Sequence, residues 1–135
     1  MRIAVDGILI QNGQILLIKR AGKTFHNFLA LPGGIVEEGE KVEETLQREM
    51  EEELAIKIKP LEILGVYSKK DRDPREHTIS IVFICEFSGK PVAADDAKSF
   101  KAFDVEDALK LTLAFDHKQI ITDFKKWLSS KGTYW

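Results

Sequence analysis

A cluster of glutamates is the part of this sequence whose residue types most clearly suggest chemistry. Residues 37 to 53 contain nine glutamates and two basic residues, Lys41 and Arg48, so this segment carries a charge of −7. The rest of the 135-residue chain contains 18 basic and 13 acidic residues and therefore carries +5. Clustered carboxylates supply the hard oxygen ligands that divalent cations such as Mg²⁺ prefer. The charge distribution therefore favours a cation site in the acidic segment, and the mildly basic remainder favours an anionic substrate.

Two of these glutamates fall where a helix is expected to be buried. Val42, Leu46 and Met50 recur at i,i+4 spacing in a stretch of strong helix formers and predict the apolar stripe of one helix. At 100° per residue, Glu53 lies about 20° and Glu49 about 60° from Leu46 around the helix axis. Two carboxylates one turn apart are therefore predicted on or beside the apolar stripe.

Such a placement requires a compensating positive charge. Buried carboxylates without a partner are costly, and two of them one turn apart also repel each other. The absence of neighbouring cysteines or paired histidines favours Mg²⁺ or Mn²⁺ over zinc as the compensating cation. The alternative is an ordinary helix of surface charges, in which Arg48 bridges Glu44 and Glu52 at i±4 spacing. The helical wheel alone leaves both interpretations open.

A second local signal is the run Pro32-Gly33-Gly34, which is expected to break any regular element. Paired glycines let the backbone approach a ligand closely and can direct a carbonyl oxygen at the same cation. A plain turn is the alternative. The chain contains neither a Gly-x-x-x-x-Gly-Lys-Ser/Thr nor a Gly-x-Gly-x-x-Gly phosphate loop. Any phosphate is therefore expected to be held through the metal.

The spacing of these residues resembles a family pattern, the Nudix box. Gly34 is followed after five residues by Glu40, and Glu40 after seven residues by the segment REMEEE at 48–53. The usual Leu-Pro-Gly also precedes Gly34. One position departs, because Ala55 stands where the family has the glycine that ends the helix. We expect a penalty of about 1 kcal/mol if φ stays positive at Ala55, and none if the helix exit relaxes.

The resemblance implies both a fold and a reaction. The fold is the α+β Nudix fold, an α/β/α sandwich with a mixed β-sheet between helices. The reaction is hydrolysis of a nucleoside diphosphate linked to another moiety X, with Mg²⁺ or Mn²⁺ as cofactor. The family pattern makes Glu49, Glu52, Glu53 and the Gly33 carbonyl metal ligands, and makes Arg48 and Glu40 a supporting pair that orients the glutamates.

Residues outside the box complete the expected site. Asp96 lies where related enzymes often carry an acidic residue near the metals, and it is a candidate general base, with a solvated turn as the alternative. The substrate-binding candidates are Arg20, Gly34, Arg75 and His77. The alternative for His77 is a structural hydrogen bond.

Two further segments resemble the ADP-ribose pyrophosphatase-like branch of the Nudix family. The first runs from Gly65 to Ser80 and contains Arg-Asp-Pro-Arg, and the second is Leu113–His117. They imply cleavage of ADP-ribose, or a similar nucleotide sugar, to AMP and a sugar phosphate. Glu76 departs from the glycine usual in that branch. A MutT-type nucleoside triphosphate pool sanitiser and a non-catalytic ADP-ribose sensor therefore stay as alternatives, although the intact glutamates argue against the sensor.

The elements that must position these residues follow from hydrophobic periodicity and turn signals. Asn12-Gly13 between two apolar runs predicts a hairpin. Strands are predicted at 2–11, 14–20, 56–68, 77–87 and 100–103, with helices at 41–54 and 116–129 and one helical turn at 105–110. The last helix is expected to bury Ile120, Ile121, Phe124 and Leu128. The element order favours a single α+β domain over 1–135.

Composition excludes several other classes of protein. A net charge of −2 argues against a polybasic surface for nucleic acid or membrane. Cys85 is the single cysteine, which excludes a disulfide framework and fits a reducing, cytoplasmic location. No stretch approaches the ~18 apolar residues of a membrane span, and no targeting segment is recognised. The expected partner is a small nucleotide diphosphate, and the resemblance is also compatible with a homodimer.

Overall fold

Seven strands in the described part of the chain, residues 1–94 and 97–134 of a computed structural model, form one mixed sheet. The strands are β1 (Arg2–Gln11), β2 (Gln14–Arg20), β3 (Leu29–Ala30), β4 (Gly33–Ile35), β5 (Lys57–Tyr67), β6 (Thr78–Ser88) and β7 (Ala97–Phe103). The helices are α1 (Val42–Leu54), α2 (Val105–Ala108) and α3 (His117–Ser130). The predicted hairpin, strands and helices are confirmed to within a few residues.

The sheet forks between β1 and β2, and this fork creates the space for a site. At one end of β1, Ile10 pairs with Ile15 of β2, whereas at the other end Asp6 pairs with Gly33 of β4. Beyond the hairpin, β2 turns away and pairs instead with β3 and β7. On its other side, β1 pairs in parallel with β6 along nearly its whole length. β1 is therefore held firmly while β2 diverges from it.

Alternating side chains of the sheet build one core on each face. Val5 and Leu9 of β1 belong to the cluster that contains Leu46 and Met50 of α1. On the other face of the sheet, Ile8 and side chains of the neighbouring strands pack against α3. The buried residues of α3 include Ile120, Ile121, Phe124 and Trp127. The sheet is thus sandwiched between α1 and α3, as the α/β/α prediction requires.

Two local predictions are wrong. The run Pro32-Gly33-Gly34 interrupts regular structure only at Pro32, between β3 and β4, because Gly33 and Gly34 belong to β4 and lie opposite Asp6 and Val5 of β1. Leu128 is 49% exposed, so the buried face of α3 ends at Trp127 instead of extending one residue further. Among the described residues, none of the helices has the length and apolarity needed to cross a bilayer.

Ala55 ends α1 in the left-handed conformation, with φ +56° and ψ +37°. Its backbone N–H donates to the Glu51 carbonyl at 3.1 Å, and Ile56 N–H donates to the Met50 carbonyl at 3.4 Å. The helix exit therefore keeps the geometry that normally selects glycine, without relaxing around the alanine. The packing of Ile56, which is 1% exposed, fixes the chain direction after the helix.

We expect Ala55→Gly to stabilise the protein by about 0.5–1 kcal/mol. Left-handed backbone costs an alanine about 1–2 kcal/mol, and the greater entropy of glycine in the unfolded chain removes only part of that gain. Urea unfolding monitored by circular dichroism measures the change. Ala102→Gly, at an exposed position of β7, is the control and should destabilise. A lower midpoint for Ala55→Gly would contradict the strain.

Candidate active site

A cleft of about 530 Å³ occupies the fork between β1 and β2. Its walls come from β1, β2, β4, α1, the loop between β5 and β6, and the segment before α3. Its volume lies within the range of small-molecule sites, which are typically about 300–1,000 Å³. Charged side chains of both signs face it, so the cleft is suited to a polar, charged ligand.

The glutamates of α1 reach this cleft unequally. Glu53 is 4% exposed and lines the cleft together with Glu49, whose side chain is 15% exposed. Glu52 lies outside the lining, and its side chain is 48% exposed. The predicted placement of Glu49 and Glu53 beside the apolar stripe is therefore confirmed, whereas Glu52 flanks the cleft from the outer side of the helix.

Both glycines of β4 lie where an added side chain would meet a neighbouring carboxylate. A Cβ atom at Gly34 would overlap the carboxyl end of Glu49, and a Cβ at Gly33 would overlap Asp6 Oδ1 and the Val5 carbonyl. Neither glycine has the positive φ that favours the residue on conformational grounds. The glycines therefore bring the backbone of β4 directly against two carboxylates of the cleft.

Arg48 orients Glu49 from outside the cleft. Its Nη1 donates to Glu49 Oε1 at 2.8 Å, while Nε and Nη2 donate to Glu40 at 2.8 and 3.1 Å. Glu40 Oε1 also accepts from the Glu37 backbone N–H at 2.9 Å and from Thr45 Oγ1 at 2.8 Å. These contacts have the geometry expected of the Arg48–Glu40 supporting pair.

The electrostatics of this group reflect its hydrogen bonds and its burial. Hydrogen bonds from Arg48 and from the Glu37 backbone lower the pKa of Glu40 to about 2. Burial raises the pKa of Glu49 above its ordinary value, although hydrogen bonds from Arg48 and Glu53 oppose the shift. Arg48 and Glu40 are therefore both ionised at neutral pH. Glu49 lies where an added positive charge would stabilise its ionised form.

The wall contributed by the β5–β6 loop is cationic and rigidly held. Arg72 donates through Nη2 and Nε to both carboxylate oxygens of Asp116, at 2.6 and 2.8 Å. Asp73, with its side chain 3% exposed, accepts from Arg75 Nε at 3.1 Å and from Arg75 Nη2 at 2.9 Å. Burial raises the pKa of Asp73, but the hydrogen bonds and charges of Arg75 and Arg2 outweigh it and lower the pKa overall. The loop is thus fastened by ionised pairs.

A further carboxylate, Asp6, lies on the floor of the cleft. Asp6 Oδ2 accepts a short hydrogen bond from Ser80 Oγ and lies 4.0 Å from His117 Nε2. The backbone N–H of Leu31 donates to His117 Nδ1 at 3.0 Å, so the neutral ring carries its proton on Nε2, facing Asp6. Burial lowers the pKa of His117, although the charge of Asp6 opposes this. His117 is therefore a neutral structural hydrogen-bonding residue.

The structure brings most of the predicted site residues together. Arg20, Gly33, Gly34, Glu49, Glu53 and Arg75 line one cleft, with Arg48 and Glu40 directly behind Glu49. It does not bring His77 into the cleft, because His77 Nε2 is bonded to the Ser68 carbonyl at 2.8 Å. The proposed general base, Asp96, lies outside the described residues, and its role stays a prediction.

Comparison with known proteins identifies the family of this chain. The family model of the NUDIX domain matches residues 1–124. The chain belongs to the Nudix family. The Methanocaldococcus jannaschii protein named ADP-ribose pyrophosphatase is 51% identical to this Nudix protein over 126 residues, which are 93% of this chain and 73% of that protein.

Two solved Nudix structures show the same fold. The NUDIX domain of Shewanella oneidensis NrtR, complexed with ADP ribose, matches 96% of this chain and 89% of its own at 26% identity, with a TM-score of 0.82. A bifunctional NMN adenylyltransferase/ADP ribose pyrophosphatase from Francisella tularensis, complexed with AMP and a Mn ion, matches 97% of this chain at 30% identity, with a TM-score of 0.78. This chain covers only 42% of the Francisella protein. The predicted family and fold are confirmed.

The residues of the Nudix site fit the divalent metal that the family implies. The donors on α1 are all carboxylate oxygens, which suit Mg²⁺ and Mn²⁺, and Gly34 leaves room for the Glu49 carboxylate. Across residues 1–94 and 97–134, no group of three acidic, His or Cys side chains already has metal-binding geometry. Arg48 instead holds Glu49, with a longer 3.4 Å contact to Glu52. Ligation therefore requires these side chains to turn toward the cation.

Sequence reasoning did not single out Asp6, Asp73 or Phe115 as parts of the site. Asp6 is the one charged residue inside the apolar run from Ile3 to Ile10, and a charge in a buried strand is a recognisable signal. Asp73 and Phe115 lie in the two segments that resemble the ADP-ribose branch, but spacing in the sequence does not show that these segments meet. The Arg72–Asp116 pair, 44 residues apart, joins them.

We expect Gly34→Ala to weaken metal binding and lower turnover by at least about tenfold, because the added methyl group displaces the Glu49 carboxylate. Titration with Mn²⁺, followed by electron paramagnetic resonance of the free ion, measures the binding. Gly132→Ala is the matched control, since its Cβ would meet only Ser130 Oγ at 3.8 Å. Equal Mn²⁺ affinity in the two variants would contradict the steric role of Gly34.

Proposed function

We propose that this Nudix protein hydrolyses ADP-ribose, or a closely similar nucleotide sugar diphosphate, to AMP and a sugar phosphate. The observation that carries the proposal is that residues of opposite charge line one cleft. Glu49 and Glu53 of α1 line it, and so do Arg20 and Arg75. The relatives named as ADP-ribose pyrophosphatases, and the NrtR domain complexed with ADP ribose, support this substrate class.

Each group of the cleft has a distinct part in the proposed reaction. Glu49, Glu53 and Glu52 would hold Mg²⁺ or Mn²⁺, with the Gly33 carbonyl as a further oxygen donor. The bound cation would neutralise the diphosphate and lower the pKa of an attacking water. Arg20 and Arg75 bind the anionic diphosphate and keep it in the cleft.

The supporting residues restrict the geometry of the reaction. Arg48, held by two bonds to Glu40, limits the orientations open to Glu49. Water attacks one phosphorus, the bond from that phosphorus to the bridging oxygen breaks, and the proton of the water passes to a base, for which Asp96 is the candidate.

The proposed location of the protein is the cytoplasm. The buried free thiol of Cys85 fits this reducing compartment.

A substrate panel tests the reaction. Purified protein with Mg²⁺ is incubated with ADP-ribose, NADH, diadenosine polyphosphates and oxidised nucleoside triphosphates, and the products are separated and quantified. We expect ADP-ribose to give the highest kcat/KM and to yield AMP and ribose phosphate, with chelation by EDTA abolishing turnover. Preference for a triphosphate would instead indicate a pool sanitiser, and tight binding of ADP-ribose without turnover would indicate a sensor. If no diphosphate compound is turned over with any divalent metal, the proposed hydrolytic activity is refuted.

We expect Glu53→Gln to lower turnover by more than about 100-fold, because one ligand of the proposed metal site loses its charge. The free energy of unfolding without metal should stay equal or rise, since a carboxylate that is 4% exposed has been neutralised. Product formation and urea unfolding in EDTA measure the two effects.

The matched control for Glu53→Gln is Glu43→Gln, an exposed position of the same helix, which should change neither quantity. A Glu53→Gln protein that turns over ADP-ribose at a near-normal rate would remove Glu53 from the metal site. A large loss of metal-free stability would show instead that the ionised carboxylate stabilises the fold.

A further inference from the structure

Phe115 lies on the wall of the cleft between the two arginines that are expected to bind substrate. The guanidinium carbon of Arg20 lies 4.8 Å from the centroid of the Phe115 ring, and that of Arg75 lies 5.6 Å from the same centroid. Both distances are within the range of cation–π attraction. One aromatic ring therefore contacts both cations, which come from the end of β2 and from the β5–β6 loop.

The ring itself is held in an unusual backbone conformation. Phe115 has φ +52°, a left-handed value that bulky side chains rarely adopt. Its ring packs against Phe25 at 4.7 Å and against His117 at 5.4 Å between centroids. The neighbouring Ala114 N–H donates to the Leu29 carbonyl at 2.9 Å. The surrounding packing thus holds a residue in a strained conformation at the cleft, and strained residues of this kind cluster at active sites.

Each arginine is also fixed at one edge by an oxygen acceptor. Arg75 Nε and Nη2 donate to Asp73, and Arg20 Nε donates to the Thr24 carbonyl at 2.9 Å. The acceptors at one edge and Phe115 within cation–π distance restrict the rotamers of both side chains, although the Arg75 side chain is 41% exposed. Two guanidinium groups near each other also repel, and the electron-rich face of a shared ring offsets part of that repulsion. The arrangement is therefore preorganised for a ligand with two adjacent negative groups.

We propose that Phe115 is a positioning residue that sets the spacing and orientation of Arg20 and Arg75 for the two phosphates of the substrate. The inference rests on the proposed function for the identity of the substrate, because a diphosphate is the ligand whose two anionic groups match two fixed guanidinium groups. Phe115 acts through the arginines and does not touch the bond that is broken. Its loss should therefore weaken binding of the diphosphate more than it slows the chemical step.

The experiment compares Phe115→Leu, which removes the aromatic face, with Phe115→Tyr, which keeps it. For Phe115→Leu we expect about a tenfold rise in KM for ADP-ribose with a much smaller change in kcat, and for Phe115→Tyr we expect recovery of most of the wild-type KM. Phe103→Leu is the matched control, because Phe103 lies under Lys101 at 5.4 Å but outside the cleft lining. Should Phe115→Leu fail to fold, Phe115→Met replaces it, since methionine keeps the apolar volume without the ring.

Metal-free binding separates positioning of the phosphates from direct stacking on the nucleobase. Calorimetric titration with inorganic pyrophosphate and with adenosine, both in EDTA, should show weaker pyrophosphate binding to Phe115→Leu and unchanged adenosine binding. Weaker adenosine binding with unchanged pyrophosphate binding would overturn the inference. In a background carrying Arg20→Met and Arg75→Met, the added Phe115→Leu should have no further effect on pyrophosphate, and an undiminished effect there would also overturn it.

The same titrations distinguish failure of this inference from failure of the proposed function. If the wild-type protein turns over no diphosphate, the proposed reaction is wrong, but weakened pyrophosphate binding by Phe115→Leu would still support the positioning role. If ADP-ribose is turned over and Phe115→Leu leaves both KM and pyrophosphate affinity unchanged, the reaction stands and the role of Phe115 is refuted.

Discussion

The ion pairs of Arg48 are the interaction on which the site most depends. A single guanidinium on α1 binds Glu40, which precedes the helix, and Glu49, which faces the cleft. Its Nη2 also donates to the Ile35 carbonyl at the end of β4, at 3.3 Å. One side chain therefore joins the glycine-containing strand, the loop that follows it and the helix, and the relative position of these three elements decides where the carboxylates lie.

The cationic part of the cleft has a comparable fastening of its own. Arg72, whose side chain is 4% exposed, forms a two-point contact with Asp116 at the start of α3. Burial opposes the charged form of Arg72, but the hydrogen bond to Asp116 and the nearby acidic groups keep its pKa above the ordinary value. Because two hydrogen bonds join Arg72 to Asp116, their attraction offsets the cost of desolvating both ions. Arg48–Glu40 and Arg72–Asp116 are thus both bidentate pairs, and each fastens a different part of the cleft.

Periodicity and motif spacing predict the parts of this molecule that depend on local sequence. The five longer strands, α1 and the position of Glu53 follow from which residue types recur at which interval, and the box identifies the family, whereas the short strands β3 and β4 do not follow. The strand character of Gly33 does not follow, because it depends on pairing with Asp6, 27 positions earlier in the chain. The roles of His77 and Phe115 depend likewise on contacts across loops, which no single-sequence pattern encodes.

The contact between Gly34 and Glu49 has an evolutionary consequence. The two residues lie on different elements, yet a methyl group at one would occupy the space of the carboxylate at the other. Positions 34 and 49 therefore form one steric unit, and any relative that carries a side chain at 34 must shorten or redirect the residue at 49. Among descendants of this fold, paired substitution at these two positions should accompany loss of the metal-dependent reaction, which would leave the cleft available for binding alone.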